Sequence, residues 1–231
     1  PGSSNGSFLG ARFSNLTVLV LPSTGQFLLA VDQDGTALRK LDLATSQVST
    51  LRTFSPGKIR AAACSRDGAF AILAWETEIY SLSLQSGALS LVAGSATANY
   101  TDGQGTAARF RTPSSVAVSP DAAYAYVLHA ATAAASTDTV LRSIDLSTQT
   151  VATVARSSSL ANGLLSVGLA ASRSVWAASR TNLTVTQLNS SSFSALTVYG
   201  VAGQGVADDL LSGTSHTEKF QSISAFAVWA C

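Results

Sequence analysis

The sequence predicts an all-β chain, a β-propeller of four-stranded antiparallel blades, on three observations. A hairpin with a polar turn recurs along the 231 residues, two apolar runs precede each recurrence, and neighbouring copies are spaced at about the length of one small sheet. The clearest pair is LRKLDLATSQVSTL, Leu38 to Leu51, and LRSIDLSTQTVATV, Leu141 to Val154, which share Leu, Arg, Asp, Leu, Thr and Val in register at an offset of 103. A copy at Ile79 to Val92, IYSLSLQSGALSLV, lies 41 residues after the first. LTVTQLNSSSFSALTV, Leu183 to Val198, is a fourth, so the intervals run 41, 62 and 42.

Within a unit the first strand follows an aromatic. ARFSNLTVLVLPSTG from Ala11, ARFRTPSSVAVSPDA from Ala108 and EKFQSISAFAVWAC from Glu218 place Phe13, Phe110 and Phe220 eight residues before the last apolar position of the run. The second strand is FLLAV from Phe27, FAILAW from Phe70, AYAYVL from Ala123 and SVWAA from Ser174. The recurring hairpin supplies the third and fourth strands, each with polar and apolar residues alternating. Stacked blades explain this gradient. Inner strands lie between two neighbouring sheets and read as continuous apolar runs, alanine-rich where the blades converge, while outer strands meet water on one face and alternate. Four full units and part of a fifth are visible, at about 8–53, 54–94, 95–155, 156–200 and 201–231. A pair of immunoglobulin-like sandwiches would repeat near 100 residues, but the intervals of 41 and 42 fit blades and no sandwich.

Between units run glycine-rich connectors. VAG at Val92–Gly94 and at Val201–Gly203 precedes Asp102 and Asp208, then Phe110 and Phe220, at glycine-to-phenylalanine separations of 16 and 17. In YTDGQGTAARF the pattern Gly103-x-Gly105-x-x-Ala108 matches a dinucleotide fingerprint on paper. A phosphate site needs a helix opening on its glycines, whereas the chain continues here into Pro113, a short apolar run and a turn at Ser119-Pro120-Asp121, so the glycines are expected to join two pieces of sheet.

The stretches FLLAVDQDGTALRKLDLATSQVSTL and DGQGTAARFRTPSSVAVSPDAAYAYVL together resemble the NHL-repeat family of β-propellers. The similarity lies in the Asp-Gly connector, the Phe110-x-x-Pro113 entry, Val31-Asp32 after the second strand, and Arg39 and Arg142 shortly before Asp42 and Asp145. Only the first unit keeps the aspartate after the second strand; the third runs there into HAATAAASTDT. The resemblance implies a ring, usually of six blades, so that these units read as a fragment of it, and the Pro1 start and lack of methionine are expected of a processed or partial product.

Composition narrows the function. Only 12% of residues are charged against 46% hydrophobic, yet Ser, Thr or Gly interrupts every apolar run before membrane-spanning length, so no transmembrane segment is expected. A net charge of +1, with three lysines and scattered arginines, offers no basic stripe for nucleic acid. Five of the six asparagines open an Asn-x-Ser/Thr triplet: Asn5, Asn15, Asn99, Asn182 and Asn189. Chance in a chain this rich in Ser and Thr would give roughly one or two, so N-glycosylation and an extracellular or cell-surface location are expected, with glycans supplying the solubility that the missing charges do not. Cys64 and Cys231 permit one disulfide, and the repeat register puts both near the end of a first strand.

No constellation reads as catalytic. The two histidines, His129 and His216, are expected in solvated loops with no metal-ligand spacing between them. GSSNG, Gly2 to Gly6, satisfies a nucleophile-elbow pattern without the strand it needs, and DQDG, Asp32 to Gly35, starts like a calcium loop but reads as a tight turn. Asp42 and Asp145 hold one repeat position, as architectural hydrogen-bond partners do, with Arg39 and Arg142 placed to pair with them at the surface. The expectation is a secreted interaction or structural module without cofactor, whose partners are other protein chains, glycans or further copies of itself in an assembly or filament. The alternative is a propeller lyase or glycan hydrolase with its site at the central channel.

Overall fold

The computed structural model describes residues 2–130 and 139–157, and beyond them the backbones of four strands between 164 and 199. The first sheet holds β1 (Gly6–Ser7), β2 (Val18–Val20), β3 (Phe27–Asp32), β4 (Ala37–Asp42) and β5 (Gln47–Thr53), in the order β1-β5-β4-β3-β2. The second is β6 (Ile59–Cys64), β7 (Phe70–Trp75), β8 (Glu78–Ser83) and β9 (Leu89–Gly94), in chain order. In the third, β10 (Gly103–Gln104) adds to the outer edge of β11 (Pro113–Val118), β12 (Tyr124–Ala130), β13 (Thr139–Asp145) and β14 (Thr150–Ser157). The fourth is β15 (Leu164–Val167), β16 (Val175–Ser179), β17 (Thr184–Leu188) and β18 (Ala195–Tyr199). All pairings between these strands are antiparallel, and none of the described strands crosses from one sheet to another, unlike the exchanges of a two-sheet sandwich.

The sheets follow one another in an open series. β6 packs between β2 and β11, and β11 meets β15, so successive first strands are neighbours. One apolar cluster joins Leu29, Val31 and Leu38 of the first sheet to Phe54, Ile59, Ala71 and Leu73. A second joins Ile72, Ala74, Ile79 and Ala93 to Phe110, Val116, Val127 and Ile144 of the third. The second sheet is therefore covered on both faces, as its continuous FAILAW run requires. Small residues at Ala61, Ala62, Ala71 and Ala74 let the backbones approach.

The turns follow the side chains that cap them. Asp42 Oδ1 accepts from the backbone N–H and the hydroxyl of Thr45, both at 3.0 Å, and Asp145 Oδ1 accepts from Ser147 N–H, Ser147 Oγ and Thr148 N–H at 2.9, 2.7 and 3.0 Å. The expected architectural role of this repeated aspartate holds. At the other end of β3, Asp32 accepts from the Gln33 N–H at 2.8 Å and opens a 3-10 turn over Gln33–Gly35, the tight turn read from DQDG. The Gly103–Gly105 connector is also structural: Gly103 pairs with Val151 and Gln104 with Thr150, and a 3-10 turn follows over Gly105–Ala107.

The glycine of the VAG motif has a steric cause. Gly94 sits at φ +98°, and a Cβ there would lie 2.6 Å from the Thr77 carbonyl oxygen. Only glycine lets the chain leave β9 at this angle.

Candidate functional site

In each of the first three sheets the third and fourth strands slip register at one place: after Leu38, after Ile79 and after Leu141. Such a bulge re-aims the residue next to it. In the first and third sheets that residue is an arginine, Arg39 or Arg142, and both are fully buried. This corrects the expected surface pairing with Asp42 and Asp145. The arginines lie directly beside the bulge, under the connectors.

A buried guanidinium needs its charge opposed and its donors filled; at Arg39 and Arg142 the Nη groups are filled, while each Nε is buried without a partner. Arg39 donates through Nη1 to Asp32 Oδ2 at 3.1 Å and to the Arg12 carbonyl at 2.5 Å, and through Nη2 to the Ser4 carbonyl at 2.7 Å and Asn5 Oδ1 at 3.0 Å. Its Cζ lies 4.4 Å from the centre of the Phe13 ring. Burial raises the Asp32 pKa, but hydrogen bonds from Gln33, Arg39, Ser14 and Asn15 outweigh it and hold the carboxyl below its ordinary range.

Arg142 is bound in the same way. Nη1 donates to the Arg109 carbonyl at 3.2 Å, Nη2 donates to the Thr101 carbonyl at 2.8 Å, and Asp102 Oδ1 is 2.5 Å away. The Phe110 and Tyr100 rings lie 5.1 and 5.4 Å from its Cζ. Ser4, Asn5, Arg12 and Phe13 thus correspond to Thr101, Asp102, Arg109 and Phe110, all 97 residues apart. Thr50 donates to Asn5 Oδ1 and Thr153 to Asp102 Oδ1, each at 3.0 Å.

One position is exchanged. Ala30 pairs with Arg39 and Val127 with Arg142, so the strand register matches Asp32 to His129. His129 is fully buried on β12, which corrects the solvated loop expected from its small polar neighbours in sequence. Nδ1 lies 2.9 Å from the Ala130 carbonyl and so carries the proton, leaving the Nε2 lone pair facing Arg142 Nη1 at 3.3 Å. Burial, with the Arg142 charge adding to it, pushes the His129 pKa down to about 4. Because a neutral ring stands where the first sheet has a carboxylate, the opposing charge comes from the connector: Asp102 replaces the neutral Asn5.

The second sheet fills the same place with an uncharged aromatic side chain. Leu73 pairs with Tyr80, which puts Tyr80 at the arginine position. Its ring lies 5.3 Å from Trp75, and Trp75 meets Phe54 edge-on at 5.2 Å. Phe54 is this unit's entry aromatic, a correspondence hidden in the sequence by the longer spacing of FSPGKIRAAAC. Burial, then the hydrogen bond to Glu78, pushes the Tyr80 hydroxyl up to about 12.

The sequon asparagines Asn5, Asn15 and Asn99 are exposed, and Asn182 and Asn189 lie outside the described residues. Asn15 and Asn99 sit in connectors at the end of the sheets that carries Asp32 and His129, while Asn5 lies at the outer edge beside Thr50. Cys64 ends β6 with its thiol pushed up to about 12 by burial; its expected partner Cys231, like His216, is outside the described residues. Among the described residues no three His, Cys, Asp or Glu side chains are placed to hold a metal, and no helix is long and apolar enough to cross a membrane. At the opposite end of the sheets a hollow of about 140 Å³ opens between the first two, lined by Phe27, Lys40, Leu51, Ala69, Leu84 and Gln85.

No family model matches the chain, and no curated protein matches it in sequence. Its fold is similar to that of solved structures. A structural-genomics protein of unknown function from Bacteroides thetaiotaomicron matches with a TM-score of 0.66 and 14% identity over 96% of this chain and 52% of its own. An auxiliary nutrient binding protein from the same organism matches with a TM-score of 0.63 and 14% identity over 96% and 50%. The chain spans about half the length of these structures.

Proposed function

We propose that the stacked sheets belong to a β-propeller of NHL-like repeats that serves as a secreted, N-glycosylated interaction or structural module. Three features support the ring: consecutive first strands are neighbours, the two seams among the described residues are apolar, and the arginine-bound connector recurs. A series of sheets that each turn the same face toward the one before closes naturally about an axis.

The observation that carries the functional reading is the distribution of sequons. Asn15 and Asn99 occupy one end of the sheets, and the hollow beside Leu51 and Leu84 lies at the other. Glycans at Asn15 and Asn99 would shield one rim and leave the opposite rim open to a protein or glycan partner. Leu43 and Leu51 are exposed at that rim, as a contact surface needs.

Intact mass and peptide mapping of protein from its native source, before and after N-glycan removal, test this reading. Glycan mass at Asn15 and Asn99 is expected. Unmodified asparagines at both would overturn it.

A further inference from the structure

We infer that the connector from Asn99 to Arg111 is a latch that acid releases through His129, whereas the matching connector from Gly2 to Phe13 is not. The two bind a buried arginine through matching carbonyls and a matching phenylalanine ring, with Tyr100 and Asp102 added in the third sheet, and the group facing the arginine from the second strand differs. In the first sheet it is Asp32, hydrogen-bonded to Arg39 and to the Ser14 and Asn15 N–H groups. In the third it is the His129 lone pair. A proton added at Nε2 turns an acceptor into a cation pressed against the Arg142 guanidinium, with no room for water between them.

The groups around His129 leave that charge weakly opposed. Tyr100 and Phe110 contribute rings at 5.8 and 5.6 Å. Asp102 is the carboxylate that faces the pair, and it is committed to Arg142, Thr153 N–H and Thr153 Oγ1. Arg109 directs its guanidinium to the Thr106 and Ala108 carbonyls, Arg111 reaches the Ala98 carbonyl, and Arg156 on β14 pairs with Val140, itself opposite His129. The Ala130 and Arg111 carbonyls and the Asp102 charge favour the protonated ring, but burial and the Arg142 charge outweigh them.

The sign follows from linkage. The ring pKa is about 4 when the latch is closed, against about 6.5 for a solvated histidine. The closed form is fully favoured above pH 6.5 and loses its advantage as pH falls toward 4, by on the order of 100-fold in the opening equilibrium. Opening uncovers the seam, because Ala108 and Phe110 belong to the core shared with the second sheet and the Gly105–Ala107 turn packs on β9.

Hydrogen exchange of the whole chain, read by mass spectrometry at pH 7.5 and 4.5 and corrected for intrinsic exchange, tests the latch. Peptides covering 99–111 are expected to open at least about 30-fold more at pH 4.5, while those covering 2–13 change less than about threefold. In His129→Gln, which keeps a neutral acceptor, the pH difference at 99–111 is expected to vanish. Equal behaviour of the two connectors in the unaltered protein overturns the inference, whether or not the variant folds; acid opening that persists in a folded His129→Gln does so too.

Discussion

Asp32 and His129 occupy the same place in two sheets. Each lies at the end of a second strand and faces a buried arginine on the third, and the connector beside it supplies a neutral Asn5 where the sheet has a carboxylate and the Asp102 carboxylate where the sheet has a neutral ring. Both buried arginines therefore meet one carboxylate, from the sheet in one case and the connector in the other.

This exchange predicts a rescue. Asp32→Asn leaves Arg39 buried with two neutral amides and should cost about 3 to 5 kcal/mol in urea unfolding. Adding Asn5→Asp copies the arrangement at Arg142 and should recover more than half of that loss. A double variant no more stable than Asp32→Asn alone would show that the two sites are not equivalent.

Acid should act on the first sheet later than on the third. Asp32 has a folded pKa below its unfolded value, so its contribution is complete above the unfolded pKa near 3.8 and is lost as pH falls through the folded one. In His129→Gln the remaining acid transition, followed by circular dichroism, is expected below about pH 4.

Core and rim should respond differently to truncation. Ile72 is fully buried between the second and third sheets, and Ile72→Ala should destabilise by about 2 to 5 kcal/mol. Leu19 on β2 is 61% exposed, and Leu19→Ala should cost less than about 1 kcal/mol by the same unfolding assay.

Gly94→Ala and Gly87→Ala separate steric from conformational cost. Both glycines have positive φ, but only at Gly94 would a Cβ meet backbone, the Thr77 oxygen at 2.6 Å. Gly87→Ala should cost about 1 kcal/mol and Gly94→Ala distinctly more, with β9 losing exchange protection first.

The Cys64 thiol should resist alkylation. With its pKa pushed up to about 12 by burial, very little thiolate forms at pH 8. In the reduced protein, iodoacetamide should modify Cys64 at least about 100-fold more slowly than after denaturation.

The repeating strands were legible because burial on two faces, on one face, or under a turn leaves a pattern within a few residues. FAILAW and LRKLDL announce their places in a sheet without reference to the rest of the chain. The arginine sites were legible only in part. Arg39 and Arg142 stand out as repeats, but their partners lie up to 41 residues away and obey a different offset, 97 against 103, because of the longer segment between β12 and β13. Aligned on the hairpins alone, His129 falls opposite Gln26, just before β3, and reads as the start of a polar loop. A signal was present in the ARF at Ala11 and Ala108, which fixes the second offset and, extended in both directions, pairs Asn5 with Asp102 and Asp32 with His129.

The divided origin of that carboxylate limits how this repeat can be rearranged. Transplanting residues 2–13 onto the third sheet would leave its guanidinium enclosed by an amide and an imidazole, with nothing negative in reach. The reciprocal transplant would crowd two anions around a single cation. A connector and the sheet it covers must therefore be exchanged, duplicated or lost together, which makes the heritable module of this chain longer than the four strands that meet the eye.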